Sequence, residues 1–432
     1  MKTRALLVIL AGLLSLTPLA ANDWPQWRGP DRTDVAKETG LLPSWPEKGP
    51  ALAWTVSTIG LGYSAPAVVG DRLYIMGTRG TNEVVFALDT KNGKEVWAAE
   101  VGPIFEWKGN VWGNGPRSTP TVDGERIYAL GAQGELVCLE TGSGKKVWSH
   151  NLFKEFNGAL MDNNGKPVVG WGYCEGPLMD GNQVVVTPGG EDGLLLALDK
   201  KTGQTVWRSK EVKGKAPYSS IIAVEVGGVR QYIQLFDKGA VGVAAKDGKL
   251  LWHYEKTNDD LVIRTPIFHN NYVFIPYSFG AGSDLFQIIP AAGTFKTEKV
   301  YSTKNMKNET GGVVLVGEHL YGYSDRTGWV CMEFAKKKGA IVWEEKRKLG
   351  KGSLTCADGR LYCYTEDDGT AALLEAQPTK FKEVGRFKIP RQSTQHAPAG
   401  KIWTHPVVAN GHLYLRDQEL LFCYDVKAGT GQ

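Results

Sequence analysis

The chain has 432 residues, of which 42% are hydrophobic, and a formal net charge of +4 at pH 7. Removing the two basic residues of the N-terminal leader described below lowers this charge to +2, so we expect no nucleic-acid partner. Beyond that leader no apolar stretch is long enough to span a bilayer, so we expect no transmembrane segment. These properties favour a globular protein, which we expect to be a monomer.

Residues 1–21 have the features of a secretory signal peptide. Two basic residues precede an apolar run at residues 5–14, and small residues follow at Ala20 and Ala21. This order predicts export, with cleavage before Asn22. The first cysteine is Cys138, so we expect no lipid anchor at a mature N-terminal cysteine. We therefore expect a periplasmic or secreted protein that is not a lipoprotein.

Residues 22–48 are rich in tryptophan and proline and contain no copy of the repeat that follows. We expect an irregular N-terminal strap that lies across the fold, with Trp24, Trp27 and Trp45 filling grooves. The remaining residues, 49–432, form the repeat region.

The repeat consists of a valine-rich strand, a tight polar turn and a Tyr-bearing strand, followed in most copies by a hairpin ending in Gly-x-x-x-Trp. Two clear copies lie at residues 64–97 and 118–148. Eight first halves begin near Pro66, Pro120, Pro177, Ser220, Pro266, Gly312, Ser353 and Pro406. Self-similarity at about 40–50 residues, made of strands and turns, predicts an all-β, eight-bladed β-propeller of four-stranded antiparallel blades.

The second half of the repeat ends on seven aromatic residues, namely Trp97, Trp148, Trp207, Trp252, Tyr301, Trp343 and Phe387. The last copy stops at its turn glycine, Gly429, whereas Gly49 and Trp54 have no first half before them. We therefore predict that the strand around Trp54 completes the eighth blade. Pairing of the N-terminal and C-terminal strands would close the ring and hide the sheet edges.

Six cysteines in an exported chain raise the question of disulfides. The repeat places Cys138, Cys331 and Cys423 where other copies have Ala or Gly, so we interpret them as packing residues in a small buried slot. Cys356 and Cys363 flank a hairpin turn and could face each other across adjacent strands. A disulfide between those two is left open.

The segments that join one blade to the next converge on one face of a propeller, around its central channel. In this chain they are aromatic and polar, and ten of their residues are our candidates for lining the funnel mouth: Trp112, Arg117, Trp171, Tyr173, Glu175, Arg264, Asn308, Glu309, His396 and His405. Loop packing that plugs the channel and a small-molecule or peptide site both remain open. No Cys or His pair has metal-ligand spacing, so we predict no metal site and identify no catalytic residue.

The repeat resembles the pyrroloquinoline-quinone (PQQ) repeat family, and LALDKKTGQTVW at residues 196–207 is a near-complete match. The resemblance covers the chain from about residue 52 to its end. That family contains quinoprotein dehydrogenases and cofactor-free scaffolds such as the outer-membrane assembly factor BamB. Residues 23–46 also resemble the leader of exported PQQ-like propellers of the planctomycete type, which implies export and a propeller.

The resemblance leaves two main hypotheses. The first is a cofactor-free, BamB-like binding or scaffold protein of the periplasm or cell envelope, which binds an envelope protein, peptide or small molecule at its funnel. The second is a PQQ- and Ca²⁺-dependent alcohol or sugar dehydrogenase. For such an enzyme the resemblance implies Trp171 or Trp112 as the aromatic floor under the quinone and Arg117 and Arg264 as the basic groups on its carboxylates. It implies Glu175 with Asn308 as calcium ligands. The chain lacks the adjacent Cys-Cys pair of such enzymes and is shorter, so we favour the first. A hydrolase or lyase on the same face is a further alternative.

Overall fold

The computed structural model describes residues 22–161, 170–256, 263–277, 280–291 and 294–429. Within these residues the chain forms eight four-stranded antiparallel sheets, which are the blades of a β-propeller. The predicted leader lies outside the described residues. Among those described, no helix combines the length and hydropathy of a membrane span.

The strands of the first four blades follow one another along the chain. Blade 1 contains β2 (Ala67–Val69), β3 (Arg72–Arg79), β4 (Asn82–Asp89) and β5 (Glu95–Pro103). Blade 2 contains β6 (Thr121–Asp123), β7 (Arg126–Leu130), β8 (Glu135–Glu140) and β9 (Lys146–Asn151), followed by the short helix α1 (Leu152–Phe156). Blade 3 contains β10 (Leu178–Asp180), β11 (Gln183–Val186), β12 (Leu196–Asp199) and β13 (Thr205–Arg208). Blade 4 contains β14 (Ile222–Val226), β15 (Val229–Phe236), β16 (Gly239–Ala244) and β17 (Leu250–Glu255).

The next three blades repeat this order, and the eighth combines both ends of the chain. Blade 5 contains β18 (Ile267–His269), β19 (Tyr272–Tyr277), β20 (Gly282–Ala291) and β21 (Thr294–Thr303). Blade 6 contains β22 (Val313–Val316), β23 (His319–Ser324), β24 (Gly328–Glu333) and β25 (Ile341–Glu345). Blade 7 contains β26 (Gly352–Ala357), β27 (Arg360–Thr365), β28 (Thr370–Glu375) and β29 (Glu383–Lys388). Blade 8 contains β30 (Val407–Ala409), β31 (His412–Asp417), β32 (Leu420–Asp425) and β1 (Ala51–Val56).

The predicted ring closure is confirmed. Strand β1 pairs antiparallel with β32, and Trp54 lies opposite Cys423. The indole of Trp54 also donates a hydrogen bond of 2.8 Å to the carbonyl oxygen of Thr90 in blade 1. The first strand of the chain therefore joins the last blade to the first.

Seven of the eight blades place Ala, Cys or Gly opposite the closing aromatic residue, and blade 5 places Leu285 opposite Tyr301. Cys138 lies opposite Trp148, Cys331 opposite Trp343, and the three cysteines assigned to this slot, which include Cys423, are fully buried. In blade 4 the slot is occupied by Gly242, where an added Cβ would lie 2.1 Å from the indole of Trp252. Most of the closing tryptophans donate to a backbone carbonyl oxygen of the next blade, as at Trp97 to Thr141 (3.0 Å), Trp148 to Lys200 (3.1 Å) and Trp207 to Ala245 (3.1 Å). Trp252 instead donates to the side-chain oxygen of Gln231 in its own blade (2.7 Å).

The N-terminal strap crosses the ring and hydrogen-bonds with all eight blades. Two arginines span the middle four: Arg32 donates to the carbonyl oxygens of Pro177 and Ile221, and Arg28 to those of Thr265 and Val313. The other contacts pair Trp24 with Val68, Pro25 with Val122, Ala36 with Cys356 and Glu38 with Gly411. The strap therefore ties the blades together across the channel. Trp24 and Trp45 are buried, while Trp27 is partly buried.

The suggestion that Cys356 and Cys363 face each other is wrong. The two-residue turn at Asp358 and Gly359 sets the register of β26 and β27 so that Cys356 lies opposite Leu361. Cys363 lies opposite Leu354, two positions along the strand from that pair. All six cysteines are free.

Candidate functional site

A cavity of about 420 Å³ opens in the centre of the ring. Six aromatic side chains form much of its wall: Tyr63, Trp107, Trp112, Trp171, Tyr218 and Trp403. They come from segments that connect successive blades. The strap supplies Trp27, whose ring centroid lies 4.7 Å from that of His405, another lining residue. The channel is therefore an aromatic funnel on the interblade face, with the strap contributing to its lining.

The aromatic rings hold one another at fixed angles. The ring of Trp112 meets that of Trp171 edge to face, with centroids 6.1 Å apart, and Trp171 lies 5.0 Å from Tyr218. The rings of Tyr63 and Trp403, which also line the cavity, are 5.3 Å apart. Such contacts pre-form an apolar surface that a flat ligand can cover.

Six of the ten residues selected from the sequence line this cavity: Trp112, Arg117, Trp171, Arg264, Glu309 and His405. The other four do not line it. Tyr173 is buried and donates to the carbonyl oxygen of Pro188 (2.9 Å). His396 has its Nε2 atom 2.7 Å from a carboxylate oxygen of Asp417.

Glu175 and Asn308 are buried and hold loops in place. The carboxylate of Glu175 accepts hydrogen bonds from the amide and the hydroxyl of Thr187, and burial raises its pKa to about 7. The side chain of Asn308 bonds to the amide and carbonyl of Gly312, both at 3.0 Å, and to the carbonyl of Tyr323. These two side chains therefore stabilise the loop backbone by hydrogen bonds and do not line the cavity.

Two guanidinium groups reach the cavity, each held by backbone carbonyls. Arg117 donates to the carbonyl oxygens of Gly115 (2.9 Å) and Gly113 (2.8 Å), and its guanidinium lies 5.1 Å from the ring centroid of Tyr63. Arg264 is 6% exposed and donates to the carbonyl oxygens of Asn308 (3.3 Å) and Thr310 (2.7 Å).

The second terminal nitrogen of Arg264, Nη2, is buried and has no hydrogen-bond partner among the described residues. Burial lowers the pKa of Arg264 to about 9, while Asp325 and Glu309 oppose that shift, so the guanidinium is charged at neutral pH. A buried charged donor without an acceptor is costly, and such groups are commonly satisfied by water or a ligand.

The acid that lines the cavity, Glu309, is already paired. Its carboxylate lies 2.5 Å from the ammonium of Lys351, which also contacts Asp325 at 2.9 Å and Glu366 at 3.9 Å. Burial is the largest cause that raises the pKa of Asp325 and of Glu366. Among the described residues, the cavity lining thus carries two guanidinium groups, Arg117 and Arg264, and one carboxylate, that of Glu309.

Several lining residues were not selected from the sequence. Trp107 and Trp403 stand in the same interblade segments as selected residues, whereas Tyr218 stands in the segment between β13 and β14, from which no residue was selected. The aromatic content of these segments was the available signal. Trp27 belongs to the strap, and its place in the cavity depends on the route of the strap, which no local pattern encodes.

A family profile described as "Outer membrane protein assembly factor BamB" matches residues 81–344, more than half of the chain. The chain belongs to this family. BamB of Shewanella oneidensis is 25% identical over 275 residues, which cover 57% of this chain and 62% of that protein. A quinohemoprotein alcohol dehydrogenase of Comamonas testosteroni is 28% identical over 173 residues, or 38% of this chain and 22% of the enzyme. The chain thus spans less than two thirds of the length of either relative.

Solved structures share the propeller fold at low sequence identity. The Comamonas testosteroni quinohemoprotein alcohol dehydrogenase superposes with a TM-score of 0.62 at 13% identity, covering 96% of this chain and 82% of the enzyme. BamB from Moraxella catarrhalis superposes with a TM-score of 0.59 at 14% identity, covering 88% of this chain and 99% of its own. These likenesses show the fold.

The residues that the structure describes do not fit a calcium-bound PQQ. The two oxygen ligands assigned to calcium, Glu175 and Asn308, are buried in loop contacts and do not line the cavity. Within the described ranges, no three His, Cys, Asp or Glu side chains are grouped as metal ligands. We therefore derive no chemical step through a quinone.

Proposed function

We propose that this protein is an exported, BamB-like binding protein of the periplasm or cell envelope, whose aromatic funnel holds an exposed group of its partner. The partner is an envelope protein, a peptide or a small molecule. The observation that carries the proposal is the cavity itself, which receives side chains from seven of the eight connections between blades. Aromatic concave surfaces with a few fixed polar groups are typical of binding sites.

The cavity chemistry supports binding over covalent catalysis. Cys174 lines the cavity, but burial raises the pKa of its thiol to about 12, so it is not an activated nucleophile at neutral pH. The hydroxyl of Ser220 accepts a hydrogen bond from the amide of Gly176 (3.1 Å) and serves to hold that loop. The relatives named as assembly factors are consistent with a binding role.

The proposal is tested by capture of partners from an envelope extract. Trp112 is 38% exposed at the cavity, whereas Val206 is 48% exposed on the outer strand β13. We expect Trp112→Ala and Trp171→Ala to lose a partner that the wild-type protein and the control Val206→Ala both retain. Identical partner lists for all four proteins would contradict the proposal.

Two further measurements test the cellular location of the protein and the alternative that it is a PQQ-dependent dehydrogenase. Fractionation of cells should recover the protein from the periplasm or envelope, and recovery from the cytoplasm would contradict export. Incubation of the purified protein with PQQ and Ca²⁺ should give no dye reduction with alcohols or sugars. Turnover in that assay would replace the binding proposal with the dehydrogenase.

A further inference from the structure

We propose that protonation controls access to the funnel: the buried carboxyl groups of Glu83 and Glu175 hold two aromatic segments of its rim in place, and ionisation of these groups loosens both segments. The rim segments are residues 104–116, between blades 1 and 2, and residues 170–177, between blades 2 and 3. This inference concerns how the funnel opens, and it does not depend on the identity of a ligand or partner.

The two rim segments form one wall of the funnel. Trp107 and Trp112 belong to the first segment and Trp171 to the second, and all three side chains line the cavity. The indole of Trp107 donates a hydrogen bond to the carbonyl oxygen of Gly170 (3.1 Å), and the rings of Trp112 and Trp171 meet with centroids 6.1 Å apart. A change in the attachment of either segment therefore changes the whole wall.

Glu83 attaches the first rim segment to blades 1 and 2. Its side chain is 0% exposed, and its carboxyl group accepts hydrogen bonds from the amides of Phe105 (3.2 Å) and Ala132 (2.9 Å). The carbonyl oxygen of Ala132 accepts a further bond from the amide of Tyr173 (2.9 Å), which belongs to the second segment. One buried carboxyl group is therefore connected to both segments.

Glu175 attaches the second rim segment to blades 3 and 4. Its side chain is 2% exposed, and its carboxyl group accepts hydrogen bonds from the amide and the hydroxyl of Thr187, directly after β11. The side-chain amide of Gln234, in blade 4, donates to the same carboxyl group (3.4 Å). The backbone carbonyl of Glu175 accepts from the hydroxyl of Ser118 (2.8 Å). Both the side chain and the backbone of this residue thus hold the segment.

Burial governs the protonation of Glu83 although a guanidinium is close. The charged groups that face it are Arg117, which favours the ionised carboxyl group, and Glu135, which opposes it. Lys146 and Lys154 in turn face Glu135. Burial outweighs Arg117 and the backbone amides, and it raises the pKa of Glu83 from 4.5 to about 7.

The same balance holds at Glu175. Burial is again the largest cause and raises its pKa from 4.5 to about 7, against the hydroxyl and amide of Thr187 and the guanidinium of Arg32 in the strap. The phenol of Tyr173 and the thiol of Cys174 also face Glu175, and burial raises the pKa of both, so they are neutral at neutral pH. The two glutamates therefore change charge in the same pH range.

The sign of the effect follows from the two pKa values. A carboxyl group with a pKa of about 7 in the closed rim and 4.5 in water binds its proton more tightly when the rim is closed. Opening of the rim therefore becomes easier as the pH rises from 4.5 to about 7, and it does not depend on these groups outside that range. Between pH 5.5 and pH 8 the equilibrium constant for opening each attachment should rise about 25-fold.

The deciding experiment is hydrogen exchange of the unmodified protein at pH 5.5 and pH 8, with each rate corrected for the effect of pH on intrinsic exchange. The reporters are the amides of Phe105, Ala132 and Thr187, which donate to the two carboxyl groups. The control amide is Leu194, which donates to the carbonyl oxygen of Val212 (2.7 Å). We expect protection of the reporters to be about 10- to 30-fold lower at pH 8, with that of Leu194 unchanged. Equal protection of the reporters at both pH values, or an equal loss at Leu194, would overturn the inference.

Variants then assign the response to the two carboxyl groups. Glu83→Gln and Glu175→Gln should each remove the pH response of the amides that the substituted side chain binds, because a carboxamide keeps the shape and does not ionise. The matched control is Glu38→Gln, since Glu38 is also buried and accepts a bond from the amide of Gly411, away from the rim. It should leave the response of all three reporters unchanged. A response that persists in the folded Glu83→Gln and Glu175→Gln proteins would contradict the role of these side chains.

Infrared spectroscopy of the unmodified protein decides the point if those variants do not fold. Absorbance of protonated carboxyl groups should remain at about pH 6 and be lost by about pH 8. Complete loss of that absorbance below about pH 6 would overturn the inference.

This inference and the proposed function can fail separately. A rim that responds to pH in a protein that captures no partner would retain the inference and reject the binding function. Capture that depends on Trp112, by a protein whose reporter amides show no pH response, would retain the binding function and reject the inference.

Discussion

Substitution of Trp54 by alanine tests ring closure where the two ends of the chain meet. Trp54 is 8% exposed, lies opposite Cys423 and packs against the turn glycine Gly93 of blade 1. A buried tryptophan covers on the order of 200 Å², which corresponds to about 5 kcal/mol at about 25 cal/mol per Å². Truncations of this kind cost about 3–5 kcal/mol, and the carbonyl of Thr90 also loses its indole donor. We expect a loss of about 4 kcal/mol in the free energy of unfolding.

The assay is urea-induced unfolding followed by circular dichroism, combined with hydrogen exchange of β32. Exchange should accelerate in β32, because Trp54→Ala loosens the strand that pairs with it. The matched control is Trp112→Ala, since Trp112 is 38% exposed, and its cost should stay below about 1 kcal/mol. A Trp54→Ala protein that is as stable as this control, with unchanged exchange in β32, would refute closure by the N-terminal strand.

Three further predictions concern the packing slot, a buried acid and the strap. Gly242→Ala should destabilise the protein by about 1–3 kcal/mol, because the added Cβ meets the indole of Trp252. A glycine in a strand without such a contact would gain stability from alanine, so a gain at position 242 would contradict tight packing against Trp252. Burial raises the pKa of the Glu83 carboxyl from 4.5 to about 7, so its contribution to folding stability is full below pH 4.5 and falls by up to about 3 kcal/mol as the pH rises to about 7. Glu83→Gln should therefore flatten the dependence of Tm on pH, and a profile equal to that of the wild-type protein would contradict the raised pKa. Arg32→Met should cost about 2–4 kcal/mol and expose the strap to limited proteolysis, unlike Arg72→Met at the start of β3, where the side chain is 32% exposed. Equal protease resistance of the two variants would argue against the strap contacts.

The fold could be predicted because each blade repeats the same local information. Turn glycines, strand alternation and closing aromatic residues recur in most copies, so the missing strand at the end of the chain pointed to Trp54. The register of β26 and β27, which carry Cys356 and Cys363, was not predicted correctly. The two-residue turn at Asp358 and Gly359 determines that Cys356 faces Leu361, and applying hairpin geometry to it would have excluded the disulfide.

The site could be predicted in part, because propeller topology brings the interblade segments together. Trp171 and Tyr173 illustrate the limit, since they are two residues apart, yet one lines the cavity and the other is buried against Pro188. In an irregular loop the direction of each side chain depends on contacts distant in sequence. The same holds for Trp27, which reaches the cavity because Arg28 and Arg32 anchor the strap to blades hundreds of residues away.

The most direct test of the funnel as the binding site is site-specific photo-crosslinking in living cells. A photoreactive residue at position 112 lies at the cavity, and one at position 206 lies on the outer strand of blade 3. A crosslinked partner from position 112 and none from position 206 is the predicted result. Crosslinking from position 206 alone would place the interaction on the outer rim and contradict the account.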